Sequence, residues 1–393
     1  MAASASQQAR IIVTKEFSLT NARLILDGEV SRGTIHVADN LIVSIDLGET
    51  IHTNAIDCGG DFLSPGLIEL HTDNLERHRK PRPGVLQPMR DALLAHDGEL
   101  ASTGITTVFD ALRIGSVISD GRNAYEPYAL EAASTMRRLK EDNHLRIDHQ
   151  VHLRAEVCSE TLAEELEEFG PEQDIGIVSL MDHTPGQRQF RDTAQLILYL
   201  KGKYGMSDTD IEQHFTNMRN LQDRHGSAHR KATVAFANAA GAVLASHDDT
   251  TIDDVAQSRA VNCRLAEFPT TLEAASECND AGIAVMMGAP NLMRGKSHSG
   301  NVSAAELVST GDLQILSSDY IPSTLLRAAV KLGIMLDDMA AAMKMVTVTP
   351  AQVVGLDDRG RLARGQRADI LRFGLEESQP IIRGVWSAGR QVA

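Results

Sequence analysis

The chain has 393 residues, 42% of them hydrophobic and 23% charged, enough to bury a large core in the manner of a globular protein. Its net charge of -15 disfavours nucleic acid and anionic lipid, and it repels an anionic ligand unless a locally basic site receives it. No apolar run approaches the ~20 residues of a membrane span, and the opening MAASASQQAR lacks a signal-peptide core, so a cytoplasmic protein with no membrane or nucleic-acid partner is expected.

Residues 10 to 60 carry short β-like segments (IIVTKEFSL, ARLILDG, GTIHVADN, LIVSIDLGE) between Asp, Asn and Gly turns, which suggests a small antiparallel sheet. From residue 62 the pattern changes to apolar runs of strand length alternating with helical periodicity, the signature of βα units. The runs are FLSPGLIELHTD, GITTVFDAL, HQVHLRAEV, IGIVSLMDH, GAVLASHDD, RLAEFPT, IAVMMGAP and LQILSSDY, and eight is the number that closes a barrel. The helix-like segments between them include 89 to 103, 122 to 143, 160 to 169, 250 to 259, 271 to 281, 303 to 310 and 323 to 333. The connection from 184 to 240 is too long for a plain crossover and is the expected lid or substrate loop. After residue 346 turns and short strands return, and they are expected to pair with the N-terminal segments. Cys58, Cys158, Cys263 and Cys278 form no CxxC pair and read as reduced, buried thiols.

Polar residues recur at the ends of the predicted strands: His71 and Asp73, Asp110, His152 and Glu156, Asp182 and His183, His247 with Asp248 and Asp249, Glu267, and Asp319. In a parallel barrel these ends meet at one face, where barrel enzymes build their sites. His71 and Asp73 alternate with Thr72 and point the same way, so they can grip one cation. On its own that tripeptide reads more readily as a solvated strand end. Asp182 is expected to orient His183, and Asp248 or Asp249 to cap the next helix. His71, Asp73, Glu156, His183, His247 and Asp319 together offer nitrogen and oxygen ligands without thiolate, a set suited to zinc, manganese or iron at a hydrolytic site. A divalent cation there would bring the pKa of a bound water to about 7.

Basic segments follow these ends. Arg77, His78, Arg79, Lys80 and Arg82 come after Asp73, Arg188 lies in PGQRQF, Lys203 and Tyr204 in KGKY, and Arg294, Lys296 and His298 in NLMRGKSHSGN. Arg79 and Lys80 read equally well as surface charges. The glycines of RGKSHSGN let backbone N–H groups approach an anion, and a polyphosphate suits this chemistry better than a neutral amide.

In SPGLIELH and GQRADI the chain resembles the amidohydrolase superfamily. In HTDN, MDHTPGQRQF and GAPN with SHSGN it resembles more specifically the PhnM-type alpha-D-ribose 1-methylphosphonate 5-triphosphate diphosphatases of phosphonate catabolism. The resemblance implies an α/β fold: a distorted (β/α)8 TIM barrel over 62–346, with a small β-sandwich domain from 1–61 and 347–393. It implies one or two divalent metal ions, zinc first, with manganese, iron or magnesium as alternatives. Cleavage of a ribose 5-triphosphate to the 5-phosphate with release of pyrophosphate is also implied, and a homo-oligomer is expected from family habit only. Under the resemblance His71 and Asp73 take the place of the usual HxH pair, Glu156 is the bridging acid, His183 and His247 are histidine ligands, and Asp319 is the last-strand ligand and catalytic base. Arg77, Arg82, Arg188, Lys203, Tyr204, Arg294, Lys296 and His298 are the candidate substrate contacts. The strand count puts His183 and His247 after the fourth and fifth strands, whereas the resemblance implies the fifth and sixth. A strand hidden within 184–240, or two runs merged into one, would reconcile them. The rival readings are a carbon–nitrogen hydrolase on the same metal site, either a deaminase or a cyclic amidase, and a non-catalytic binding relative.

Overall fold

The near-continuous apolar runs form strands whose faces are both buried, as parallel sheets require. In chain order these are Leu67–Thr72, Ile105–Ile114, Asp148–Glu156, Ile175–Met181, Val243–His247, Leu265–Glu267, Ala284–Gly288 and Ile315–Ser317, and each pairs in parallel with the next. A parallel bridge from Thr72 to Asp319 brings the last strand back to the first and closes the barrel. This computed structural model describes residues 16–51, 53–117, 127–191, 193–295 and 300–393.

Strand alternation sorts the side chains. Ile68, Leu70, Phe109, Ile177, Ala245, Leu265, Met286 and Ile315 form one cluster that fills the barrel interior. The opposite faces pack on the surrounding helices in two larger clusters, one around Leu112, Leu153 and Leu180, the other around Val285, Leu316 and Leu325. Short polar caps start several helices. Thr251 accepts from the Asp254 amide, and Ser303 accepts from that of Glu306, each in a reciprocal capping box. The cap of the helix Ile252–Ala260 is therefore Thr251, not Asp248 or Asp249. Those two acids face inward, where buried partners hold them.

The eight predicted runs all become barrel strands, with one boundary moved. Phe62–Pro65 pairs in parallel with Phe17–Ile25 and antiparallel to Ile370–Glu376, so it belongs to the sheet built from the chain ends. The barrel begins after Gly66, at Leu67. Gly66 marks the crossing, and a Cβ there would lie 2.2 Å from Thr106 Oγ1. The terminal sheet curls over its own core, bringing Phe17 against Trp386 with ring centroids 6.0 Å apart. Phe373 stacks on Phe62 at 5.3 Å and joins the barrel–helix core, so the two parts share apolar packing.

The described part of 184–240 contains helices Thr193–Tyr204, Asp208–Leu221 and Ser227–Ala240 and no strand. His183 therefore follows the fourth barrel strand and His247 ends the fifth. The expected hidden or merged strand does not exist among the described residues.

Candidate active site

The first strand delivers His71, and a buried glutamate fixes the corner where the strand ends. Glu69, two residues earlier, accepts from the His71 amide at 2.8 Å, and from the Ser317 hydroxyl and the Ser318 amide of the last strand. Burial raises the pKa of its carboxyl, and those donors offset only part of the rise. Thr72 turns the other way and donates to the Asp319 carbonyl at 2.7 Å. The Glu69 carboxylate and the hydroxyls of Thr72 and Ser317 thus join the first and last strands beneath the expected ligands.

Three imidazoles converge above this corner. The rings of His71 and His247 lie 5.8 Å apart, as do those of His183 and His247. Each Nδ1 meets a buried carboxylate: His71 meets Glu267 at 3.0 Å, His247 meets Asp248 at 2.5 Å, and His183 meets Glu156. None of the three Nε2 atoms is hydrogen-bonded among the described residues. Pairing of one ring nitrogen with a carboxylate fixes the tautomer and orients the other nitrogen, the arrangement that metal-binding histidines use. Burial lowers the His247 pKa, but Asp248 outweighs it and the net shift is upward. Burial raises the Glu156 carboxyl, yet His183 beside it brings the value to about 2. Asp319 is pushed up to about 6, first by burial and then by Asp73, whose charge opposes a second carboxylate nearby.

These groups open onto a cavity of about 550 Å³ lined by His71, Asp73, His183, His247, Asp248 and Asp319, with Arg154 and Arg294 as its cations. Gln189, Asn291, Asn301 and Tyr320 add neutral polar groups. The backbone is left-handed at Asp248, Phe268 and Asp319 (φ 57°, 56° and 54°), each just past a strand end. Such conformations are strained for residues other than glycine and cluster at functional sites.

Five of the six expected ligands therefore line one cavity. The sixth, Glu156, lies behind it against His183. The expected substrate contacts divide differently. Arg294 lines the cavity. Arg77 is on the surface, paired with Glu99 at 2.5 Å, because the residues after Asp73 form the helix Asn74–Arg79 and this helix turns Arg77 away from the cavity. Arg82 is exposed in the turn beyond that helix. Arg188 is buried, but it faces Asp249 and Asp254 rather than the cavity. Lys296, His298 and the side chains of Lys203 and Tyr204 lie outside the described residues. Asp182 accepts from the Cys158 thiol and the Thr184 amide rather than orienting His183.

Arg154 was missed. It points into the cavity and lies 3.4 Å from Asp73. Period-two alternation gives the signal, since His152, Arg154 and Glu156 share one face of the strand Asp148–Glu156. Glu267 and His152 complete the floor, with burial lowering the His152 pKa to about 3.

A second buried group, His96, Asp110 and His149, lies between the barrel wall and the helix Met89–Ser102. Its members bond one another: Asp110 accepts from His96 Nε2 and His149 Nδ1, each at 2.7 Å, and Asp97 lies 3.4 Å from His149 Nε2. Their donors and acceptors are satisfied internally, so this is a structural polar network.

A closed parallel barrel with histidines and carboxylates gathered at the C-terminal strand ends gives the protein an amidohydrolase-like fold. Solved structures of similar shape agree. They include a 5-methylcytosine deaminase from Klebsiella pneumoniae (TM-score 0.64, 17% identity, 96% of this chain and 98% of that one). An N-acetyl-D-glucosamine-6-phosphate deacetylase from Mycobacterium smegmatis gives TM-score 0.62 and 15% identity, over 96% of this chain and 100% of that one. No family model matches the sequence. Among curated proteins, the alpha-D-ribose 1-methylphosphonate 5-triphosphate diphosphatase of Escherichia coli (strain K12) is 39% identical over 380 residues, covering 95% of this chain and 99% of that one. The chain belongs to that diphosphatase family and is a hydrolase.

Proposed function

We propose that the protein hydrolyses alpha-D-ribose 1-methylphosphonate 5-triphosphate to the 5-phosphate and pyrophosphate, as the name of its 39% identical relative describes. The observation that carries this reading is the meeting of His71, His183 and His247 with Asp73 and Asp319 in a cavity that also holds Arg154 and Arg294. The donor set fits one or two divalent ions, zinc first: the free Nε2 atoms of His71, His183 and His247 with the carboxylates of Asp73 and Asp319 would hold them, and Glu156 would orient His183 from behind. When bound, the metal supplies Lewis acidity for a water and for the phosphate oxygens. Asp319 accepts the water's proton as oxygen attacks the α-phosphorus in line. Arg154 and Arg294 hold the phosphates and stabilise the departing pyrophosphate. The acids Asp73, Asp248 and Asp319 would repel a bare triphosphate, so cations and arginines together make the site receptive.

Incubation with the methylphosphonate triphosphate and Zn, Mn or Mg tests this reading. Pyrophosphate and the 5-phosphate are the expected products. Orthophosphate alone, ammonia release from a cyclic amide or amine substrate in its place, or no phosphate product with any metal would overturn it.

A further inference from the structure

We infer that Arg188 is a positioning residue for the His183–His247 pair, latching the segment 184–190 to the end of the strand Val243–His247. It is not a phosphate contact. This rests on reading those histidines as metal ligands.

Arg188 is only 7% exposed and has a left-handed backbone, φ 49°. Its Nη1 donates to the His247 carbonyl at 3.0 Å and to Asp249 Oδ1 at 2.8 Å, while Nη2 lies 3.4 Å from Asp254. Asp249 is itself buried and accepts from the Ser246 and Ser258 hydroxyls, so the anchor beneath the guanidinium is fixed from both sides. A planar guanidinium can bond a carbonyl and a carboxylate at once, which an ammonium cannot reproduce.

The other end of the latch reaches His183. The Gly186 amide donates to the Phe190 carbonyl at 3.1 Å and closes a tight turn around Arg188. That turn sets the Phe190 ring 5.9 Å from the His183 ring and brings Gln189 to the cavity wall. One buried cation therefore connects the main chain of one expected ligand with the turn that packs against another. A left-handed backbone at a side chain bulkier than asparagine is disfavoured, and it persists where surrounding contacts over-determine it. Here the contacts are those of the guanidinium.

The test compares the metal-loaded enzyme with Arg188→Lys, Arg188→Met and Asp249→Asn. Zinc affinity is measured by chelator competition, proteolytic cleavage within 184–192 on the metal-free proteins, and kcat and KM at saturating zinc. The latch predicts zinc affinity weakened about tenfold or more in all three variants, as when a group that orients a ligand is lost. It also predicts faster cleavage of the segment and KM within about threefold of wild type at saturating zinc. Unchanged zinc affinity in Arg188→Lys overturns the inference, and a KM raised about tenfold at saturating zinc identifies a substrate contact instead. If Arg188→Met fails to fold, the lysine variant, which retains the buried charge, decides. Wild type that holds zinc but releases no pyrophosphate would sink the proposed reaction and leave the latch standing. Wild type that holds no zinc would sink both.

Discussion

Each histidine at the site has a carboxylate behind it, and that pairing is the smallest unit of the account. Glu267, Asp248 and Glu156 fix the rings of His71, His247 and His183, while Asp319 lies close to Asp73 without a pairing carboxylate of its own. Asp319→Asn keeps the shape and removes the proton acceptor. We expect pyrophosphate release to fall about 10²- to 10⁴-fold with the folded far-ultraviolet spectrum retained; a loss below about tenfold would assign the proton to another group. His71, His183, His247 and Asp319 were legible because each ends an apolar run, a position that depends only on strand period and barrel geometry. Arg154 was less so, since a cation inside a strand looks like an outward-facing residue until the alternation with His152 and Glu156 is counted. The basic residues after Asp73 misled for a related reason. Charge density is readable in the sequence, but the direction of the helix Asn74–Arg79 depends on tertiary packing against the helix carrying Glu99.

At the scale of elements, the network between the helix Met89–Ser102 and the barrel wall ties both to two strands. Burial alone would strip the proton from His149, but Asp110 and Asp97 outweigh it and raise its pKa to about 10, while Asp110 is held well below the usual carboxylate range. The sign follows directly. With a folded pKa above the unfolded value of 6.5, His149 contributes stability that is fully present below about 6.5 and lost as pH rises towards 10. Asp110 contributes stability that is lost as pH falls below about 4. Urea midpoints should thus fall from pH 6.5 to pH 10, and Asp110→Asn should flatten that slope while lowering stability by about 3–5 kcal/mol at pH 6.5. A wild-type slope that survives the substitution would locate the titrating group elsewhere. Asp110 read in sequence as one more strand-end acid. It lies on the other face of its strand, and only a firm register for Ile105–Ile114 separates it from the site.

For the whole molecule, the fold was the most legible level. Eight apolar runs gave eight strands because buried parallel strands leave an unmistakable hydrophobic signature. The boundary at Gly66 was not visible, since Phe62–Pro65 and Leu67–Thr72 are both fully buried and run on from one another, so that their pairing partners are what separates them. The barrel brings together residues that are up to 248 positions apart in sequence, from His71 to Asp319. The central claim is that this gathered set holds a divalent metal used to cleave a triphosphate between its α- and β-phosphates. Metal quantification paired with product identification, on wild type and on His183→Ala, tests it most directly. The account predicts at least one metal per chain with pyrophosphate and the 5-phosphate from wild type, and loss of metal and of both products together in His183→Ala. Pyrophosphate release by His183→Ala at the wild-type rate without metal, or orthophosphate as the only phosphate product of wild type, would contradict it.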